Sequence, residues 1–365
     1  MKRFHLILLL LFLLPAGCAG QIDGSQTAGP TLNDATSQSV EAPLSLTEEA
    51  PLITPDLQPS ETPVDDILKF SFPTPVVEAV SLWRPPLYEV PWSLSPFDHF
   101  YFSRPIAADE INWPLPNYRY GGVFFGTDIV HTGIDIPAPR GTTVIAAGKG
   151  KVIWAGYGLF YGNNSPDDPY GLAVSIEHDF GYHGNKLYTI YAHMDRIDVV
   201  NGQQVDTGTP LGIVGLTGFT TGPHLHFEVR IEDNSFYTTR NPELWIAPPQ
   251  GWGVLAGDFH NTNGSFLTEQ TINIRSLESG QTWQVITYGP VTVHKDEYYQ
   301  ENLVISDLPA GEYEVSLPYQ DGKFDCQVTI HPGAVTFLTF WGEDGFFFDP
   351  PSTPEPEEWM LSTQN

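Results

Sequence analysis

Cysteine is scarce in this sequence, and its scarcity argues against a fold held together by disulfides. Only Cys18 and Cys326 occur among the 365 residues. We expect Cys18 to be lipidated, which leaves Cys326 without a partner and the chain without an intrachain disulfide. Stability must therefore come from the burial of apolar side chains.

Basic residues are also few. The chain has 16 Lys and Arg against 44 Asp and Glu, which gives a formal net charge of -28. So acidic a chain is repelled by the phosphates of nucleic acids and by anionic lipid surfaces. We therefore exclude nucleic acid and an anionic membrane surface as directly bound partners.

The apolar run at the start of the chain is too short to span a membrane. It covers Leu6 to Leu14, whereas a spanning helix needs roughly 20 apolar residues. The run follows Met1-Lys2-Arg3 and precedes Ala16-Gly17-Cys18, which is the order of charged, apolar and small residues in a signal peptide. Residues 1–18 are therefore predicted to direct export.

Cys18 resembles the lipobox cysteine of bacterial lipoproteins. Pro15 stands where an aliphatic or small residue is typical, so ordinary cleavage nearby is the alternative. If Cys18 is lipidated, its acyl chains hold the mature protein at a membrane with about 0.8 kcal/mol for each buried methylene. We expect an exported bacterial cell-envelope protein that is lipid-anchored through Cys18.

Composition divides the rest of the chain into five segments. Residues 19–66 are predicted to be a disordered linker, because Gly20 to Asp66 contains no Lys, Arg or aromatic residue and is too polar to form a core. An aromatic-rich irregular segment packed on the next domain is expected over 67–126. Strand patterns follow over 127–248 and again over 251–342, and residues 343–365 are predicted to be an acidic, frayed tail. The fold class is therefore all-β.

The first candidate metal ligands lie in His131-Thr132-Gly133-Ile134-Asp135. Two ligands of one tetrahedral zinc lie about 3.3 Å apart, whereas four residues of extended strand cover roughly 13 Å. His131 and Asp135 therefore converge on one metal only if the chain bends. Because glycine adopts backbone angles that other residues avoid, we expect the bend at Thr132-Gly133.

A second group of candidates lies in the segment His224 to Ile231, where polar and apolar residues alternate. Alternation places His224, His226, Glu228 and Arg230 on one face of a strand and the apolar residues in the core. Alternate positions are roughly 6.6 Å apart, so one histidine can bind the metal while the other exchanges a proton with a bound water. His193, in another strand-like run, is a candidate for a second such group.

Three protein ligands and a water molecule are the usual arrangement of a catalytic zinc site. A structural zinc more often has four protein ligands that include cysteine, and no cysteine is near these residues in the sequence. Six histidines downstream of the signal peptide have no other metal-binding residue type in such a pattern near them, so we interpret them as structural or surface residues; they are His99, His178, His183, His260, His294 and His331.

At these residues the sequence resembles the M23 family of zinc metallopeptidases, the lysostaphin or LytM-type endopeptidases. The resemblance runs from about Thr127 to Trp245 and rests on His131-x-x-x-Asp135, Tyr191-Ala192-His193 and Gly222-Pro223-His224-Leu225-His226, with Asn241-Pro242 at its end. It implies an M23-type β-sheet peptidase domain. It also implies zinc ligation by His131, Asp135 and His226, catalytic roles for His193 and His224, and cleavage of peptide bonds in the stems or cross-bridges of peptidoglycan.

The chain departs from the family's compact loops at Tyr157–Tyr170 and Phe180–Lys186. These longer stretches either border the groove that holds the candidate site residues and alter specificity, or are surface insertions.

The C-terminal β region resembles small β-sandwich modules of the carboxypeptidase-regulatory or prealbumin-like type. We expect it to fold independently and to act as a spacer or adhesion module rather than in carbohydrate binding. A chain that ends near Pro248 is then predicted to keep its zinc.

Two further hypotheses compete with an active, membrane-tethered endopeptidase. One is a catalytically silent wall-binding or regulatory protein, and the other gives the main role to the C-terminal module. Silent members of the family typically lose metal ligands, whereas all five candidate residues are present here. This favours activity.

Overall fold

Residues that alternate between apolar and polar form strands in two successive regions of the chain. The computed structural model describes residues 86–106, 114, 116–123, 130–290 and 293–352. The predicted signal peptide, Cys18, the linker and most of the predicted acidic tail lie outside these ranges. None of the short helices in the described part of the chain has the length and apolarity needed to cross a bilayer.

The first β region, residues 130–248, contains nine strands. They are β1 (Ile134–Pro137), β2 (Thr143–Ile145), β3 (Gly150–Gly156), β4 (Leu172–Tyr182), β5 (Asn185–Ile197), β6 (Gln204–Val205), β7 (Pro210–Val214), β8 (His224–Ile231) and β9 (Thr239–Arg240). The C-terminal module, residues 251–342, continues as β10 (Trp252–His260), β11 (Thr271–Ser276), β12 (Thr282–Ile286), β13 (Leu303–Pro309), β14 (Gly311–Tyr319), β15 (Gly322–Ile330) and β16 (Val335–Trp341), with β17 (Phe346–Phe347) after it. The helices are four 3₁₀ turns at Pro116–Tyr118, Phe236–Thr238, Pro242–Leu244 and Gly342–Asp344, and the described ranges contain no α-helix. The all-β prediction is confirmed.

The nine strands of the first region form one sheet with the order β1-β8-β5-β4-β3-β6; β7 pairs with β2 and β5, and β9 pairs with β8. Strand β8 therefore lies between β1 and β5. The register places Asp135 opposite His226 on one side and Ala192 opposite His226 on the other. Antiparallel neighbours at this spacing bring side chains from three distant parts of the sequence to one place.

Strand β8 has the predicted bounds, His224–Ile231, and its apolar face is buried as expected. The polar face differs from expectation, because Glu228 and Arg230 are also buried. Tyr170, at the end of the long Tyr157–Tyr170 loop, packs over them and hydrogen-bonds to both. The open part of this face is therefore at the His224 end of β8.

Residues upstream of the first β region pack against it. Phe100, Phe102, Ile106 and Tyr120 are buried in its core, and Phe102 forms an isolated bridge with Ile246. These aromatic and aliphatic side chains bury apolar area that the strands leave uncovered.

The C-terminal module consists of two four-stranded sheets, with orders β13-β10-β16-β17 and β12-β11-β14-β15. Side chains from both sheets form a common core, so the predicted sandwich is confirmed. The two-residue turn between β14 and β15 is Gln320-Asp321, one residue earlier than the predicted Asp321-Gly322 turn. Cys326 is half-buried against this core, and burial raises the pKa of its thiol to about 12, as expected of a structural cysteine.

The first β region and the C-terminal module also share core residues. Val254, Ala256, Tyr288 and Val304 of the module belong to the same cluster of buried side chains as Trp245 of the first region. The predicted domain boundaries stay predictions, but this shared core shows that the two regions pack tightly.

Candidate metal centre

The bend that brings His131 and Asp135 together lies at Gly133. His131 precedes β1, Gly133 is in the bend, and Asp135 is inside the strand. A Cβ atom at position 133 would lie 2.3 Å from the carbonyl oxygen of Phe227, so only glycine lets β1 approach β8 this closely. The predicted bend is present at the expected residue.

His131, Asp135 and His226 meet in a compact triangle of ligand atoms. His131 Nε2 lies 3.0 Å from Asp135 Oδ1 and 3.0 Å from His226 Nδ1, and His226 Nδ1 lies 2.9 Å from Asp135 Oδ1. Ligand atoms of a tetrahedral zinc are separated by about 3.3 Å, so this triangle fits such an ion after a small expansion. Among the described residues, this is the group of His, Cys, Asp and Glu side chains that could hold a metal ion.

Hydrogen bonds behind the two histidines set which ring nitrogen faces the triangle. His131 Nδ1 donates to the carbonyl oxygen of Arg119 at 3.0 Å, which leaves Nε2 as the acceptor nitrogen. His226 Nε2 donates to Glu228 Oε1 at 3.0 Å, which directs Nδ1 toward Asp135. A carbonyl or carboxylate behind a histidine is the usual way to orient a metal ligand.

Glu228 is a supporting residue to which the sequence analysis gave no role. Its Oε1 accepts hydrogen bonds from Thr132 Oγ1 at 2.6 Å and from the Tyr170 hydroxyl at 2.7 Å, in addition to that from His226. Its Oε2 accepts from Arg230 Nε at 2.8 Å. The alternation of polar and apolar residues in β8 places Glu228 on the same face as His226, so the sequence already indicated that these two side chains are neighbours.

The carboxylates of this network stay ionised. Burial raises the pKa of Asp135, but the neighbouring His131 and His226 together outweigh burial, so the pKa lies well below its usual value. Burial likewise opposes ionisation of Glu228, but the charge of Arg230 and the hydrogen bonds from His226 and Thr132 together outweigh burial and lower that pKa. The hydrogen bonds to both carboxylates overcome the effect of burial on His226 and raise its pKa to about 9. Without a metal, the cluster therefore balances anionic carboxylates with a protonated imidazole.

His193 and His224 flank the triangle without joining it. Their rings are 4.8 Å apart between centroids. His193 Nδ1 donates to the Thr217 carbonyl at 2.8 Å and His224 Nδ1 donates to the Gly222 carbonyl at 2.8 Å. Each therefore has Nε2 as its acceptor nitrogen.

Two features distinguish these histidines. His224 Nε2 is buried and makes no hydrogen bond, although Asp135 Oδ1 is 3.5 Å away. His193 adopts a left-handed backbone with φ of 62°, a conformation that is uncommon outside glycine; its amide donates to the Tyr170 carbonyl at 2.9 Å. Burial lowers the pKa of both rings, to about 3 for His193, where the nearby His226 and His224 add to the effect. Both imidazoles are therefore neutral near pH 7.

Other histidines have structural partners instead. His178 bonds to the Lys149 carbonyl and to Thr189, and His99 pairs with Asp296 at 3.1 Å. Neither takes part in the metal-type group, which agrees with the structural interpretation of these residues.

Comparison with known proteins identifies the region that carries this geometry. The model of Peptidase family M23 matches residues 129–238. This chain carries an M23 peptidase domain. The match includes every residue of the triangle and both flanking histidines, so the M23 domain and the candidate metal centre coincide.

Relatives of the M23 domain include named peptidases and a lipoprotein. The chain is 41% identical over 127 residues to the DD-carboxypeptidase/endopeptidase Mpg of Neisseria meningitidis serogroup B, covering 35% of this chain and 26% of Mpg. It is 38% identical over 109 residues to the peptidoglycan DD-endopeptidase ShyB of Vibrio cholerae, covering 30% of this chain and 22% of ShyB. It is 38% identical over 119 residues to the uncharacterized lipoprotein YgeR of Escherichia coli, covering 33% of this chain and 40% of YgeR. The chain thus spans less than half of the length of each of these relatives.

Proposed function

We propose that this protein is a zinc endopeptidase that hydrolyses peptide bonds in the stems or cross-bridges of bacterial peptidoglycan. His131, Asp135 and His226 are the proposed zinc ligands, and His193 and His224 are the proposed catalytic histidines. The observation that carries the proposal is the triangle of two imidazole nitrogens and one carboxylate oxygen with mutual distances of 2.9 to 3.0 Å. The M23 match and the peptidoglycan endopeptidase ShyB support the substrate class.

The donor set fits zinc. Imidazole nitrogen and carboxylate oxygen are common zinc ligands, and three protein ligands leave a position for water or substrate. Zinc, when bound, acts as a Lewis acid that activates water and polarises a carbonyl group. The anionic Asp135 offsets part of the charge of the divalent ion.

The flanking histidines supply proton transfer. Because each Nδ1 is committed to a backbone carbonyl, Nε2 is the atom that takes a proton from the attacking water. The same atom then returns the proton to the amine that leaves. General acid–base catalysis by a positioned histidine contributes about 10²- to 10⁴-fold in rate, which gives the two residues a measurable role separate from metal binding.

The site is proposed to work at the cell envelope. The predicted signal peptide and Cys18 lipidation would place the domain outside the cytoplasm, next to its substrate, on a tether formed by residues 19–66. The lipoprotein YgeR among the relatives supports this location. Silent wall binding is not favoured, because the residues proposed for metal binding and proton transfer are all in place.

Digestion of purified peptidoglycan tests the proposal, with the products identified by mass spectrometry. Zinc-loaded protein should release fragments whose masses show hydrolysis of a peptide bond, and the His224→Ala variant should not. His331→Ala is the matched control, since His331 is exposed on the C-terminal module and its loss should change nothing. Intact peptidoglycan after digestion by zinc-loaded protein would overturn the proposal.

A further inference from the structure

A short piece of the upstream chain lies directly against the metal ligand His131. We name residues 119–122 the strap. The amide of Gly121 donates to the His131 carbonyl at 2.8 Å, and the His131 amide donates to the Gly122 carbonyl at 2.7 Å. The Arg119 carbonyl accepts from His131 Nδ1 at 3.0 Å. The strap therefore holds both the backbone and the ring of His131.

The other side of the strap lies against the C-terminal module. Gly289 donates its amide to the Gly121 carbonyl at 2.8 Å, and the rings of Tyr120 and Tyr288 pack edge to face at 5.5 Å. A Cβ atom at position 121 would lie 2.5 Å from Tyr288 Cδ1, and Gly121 has φ of 77°. The contact between strap and module is thus close enough to require glycine.

A buried carboxylate connects the strap to the module a second time. Glu243 Oε1 accepts from Arg119 Nη1 and from both the amide and the hydroxyl of Ser306, each at 2.9 Å. Arg119 is 4% exposed and Glu243 is 0% exposed. A charge buried this deeply must keep its partner, so the position of Arg119 depends on Glu243, and Glu243 is held by the module.

We propose that Ser306 and Glu243 are positioning residues of the metal centre, which act on His131 through the Arg119 carbonyl. This inference rests on the proposed function, because it assumes that His131 binds the metal. The route is short and consists of direct contacts: Ser306 to Glu243, Glu243 to Arg119, and Arg119 to His131.

The physical effect is on the histidine tautomer and on the ring orientation. With the Arg119 carbonyl in place, the proton stays on Nδ1 and the lone pair of Nε2 faces the metal. If the carbonyl moves, the ring loses this constraint, and metal binding must then supply the ordering. Loss of such a partner behind a ligand typically lowers metal affinity about 10- to 100-fold.

The C-terminal module is then part of the support of the M23 domain. A chain that ends at Pro248 lacks Tyr288, Gly289 and Ser306, and so loses the contacts on one side of the strap. We therefore expect the truncated chain to bind zinc more weakly than the full chain, whereas the sequence alone predicted that truncation leaves the zinc bound.

Measuring zinc affinity in the full-length exported protein tests this inference without any assay of activity. The variant is Glu243→Gln, which keeps the size of the side chain and removes its charge. We expect its zinc Kd, measured by competition with a chelator of known affinity, to rise about tenfold. The Nδ1 proton of His131, observed by nuclear magnetic resonance, should also exchange faster with water.

The matched control is Asp307→Asn. Asp307 forms a buried ion pair with Arg104 of the upstream segment and has φ of 57°, a conformation that asparagine tolerates. The Asp307→Asn variant should lose stability as Glu243→Gln does, but its zinc Kd should equal that of the unchanged protein. If Glu243→Gln does not fold, Ser306→Ala replaces it, with a smaller rise in zinc Kd expected because the Ser306 amide still donates to Glu243.

The outcomes separate the two proposals. If the unchanged protein binds no zinc, the proposed function fails. If it binds zinc and every folded variant binds equally well, the positioning role is wrong. An equal rise in zinc Kd for Glu243→Gln and Asp307→Asn would also overturn it, because the effect would then follow general stability.

Discussion

Replacing Glu228 by glutamine should weaken both the fold and the metal centre. The carboxylate accepts hydrogen bonds from His226, Thr132 and Tyr170 on one oxygen and from Arg230 on the other. Glutamine has the same shape, but one of its terminal atoms is an NH₂ group that donates. In the variant, this NH₂ group would therefore point at one or more of the groups that donate to Glu228. The guanidinium group of Arg230 would also lose its counter-charge.

The magnitude follows from burial. Glu228 is 0% exposed and Arg230 is 2% exposed, so water does not replace the lost partner. Removing one member of a buried ion pair typically costs about 3–5 kcal/mol, and we expect a loss of about 3 kcal/mol or more in the free energy of unfolding of the metal-free protein. Because Glu228 also orients His226, zinc affinity should fall about 10- to 100-fold.

Two measurements check this prediction. Urea unfolding of the metal-free variant, followed by circular dichroism, gives the change in the free energy of unfolding, and competition with a chelator gives the zinc Kd. Glu177→Gln is the control, because Glu177 forms a surface ion pair with Lys186 at 2.9 Å, worth about 0–1 kcal/mol. A Glu228→Gln variant with an unchanged zinc Kd would refute the supporting role of Glu228, and one with the stability of the control would refute the argument from burial.

Four other predictions follow from the site and from the chain. His226→Ala should abolish zinc binding, whereas His224→Ala should keep most of the zinc and lose about 10²-fold or more in turnover; equal metal loss by elemental analysis would contradict the ligand assignment. Chelation should stop peptidoglycan hydrolysis and added zinc should restore it, so hydrolysis that persists in metal-free protein would be contrary to the proposal. Burial lowers the pKa of His178 from 6.5 to about 4, so between these two pH values the unfolded chain binds a proton that the folded protein does not bind. Acidification through this range therefore lowers the free energy of unfolding by about 3 kcal/mol. In metal-free protein, His178→Gln should remove this part of the pH dependence of the unfolding free energy. Cys18→Ser should release the protein from membranes or leave its signal uncleaved, and unchanged fractionation with unchanged lipid labelling would count against lipidation.

The sequence by itself determined the features that depend on local order. Alternation of apolar and polar residues predicted β8 with its observed bounds, His224–Ile231, because successive side chains of a strand point to opposite faces. The spacing of His131 and Asp135 around Gly133 predicted the bend, since an extended chain would separate two ligands of one metal. These inferences need only the geometry of a few consecutive residues.

Only the tertiary structure decided which residues surround the candidate ligands. Alternation placed Glu228 on the same strand face as the histidines, away from the core, but the long loop that ends at Tyr170 covers it and makes it a buried support of His226. Residues 119–122 lie in a segment without a helical or strand period, so no local pattern could place the Arg119 carbonyl against His131.

The role of the C-terminal module shows the same limit. Its strands, turn and core candidates indicated a unit that folds independently, because each of these features is local. Whether the surface of the module packs against the first β region depends on contacts between residues far apart in the sequence, such as Ser306 and Glu243. These contacts exist only once both regions have folded. Local order therefore determined the strands and the types of the candidate ligands, whereas burial and packing between distant segments decided which side chains hold these candidate ligands in place.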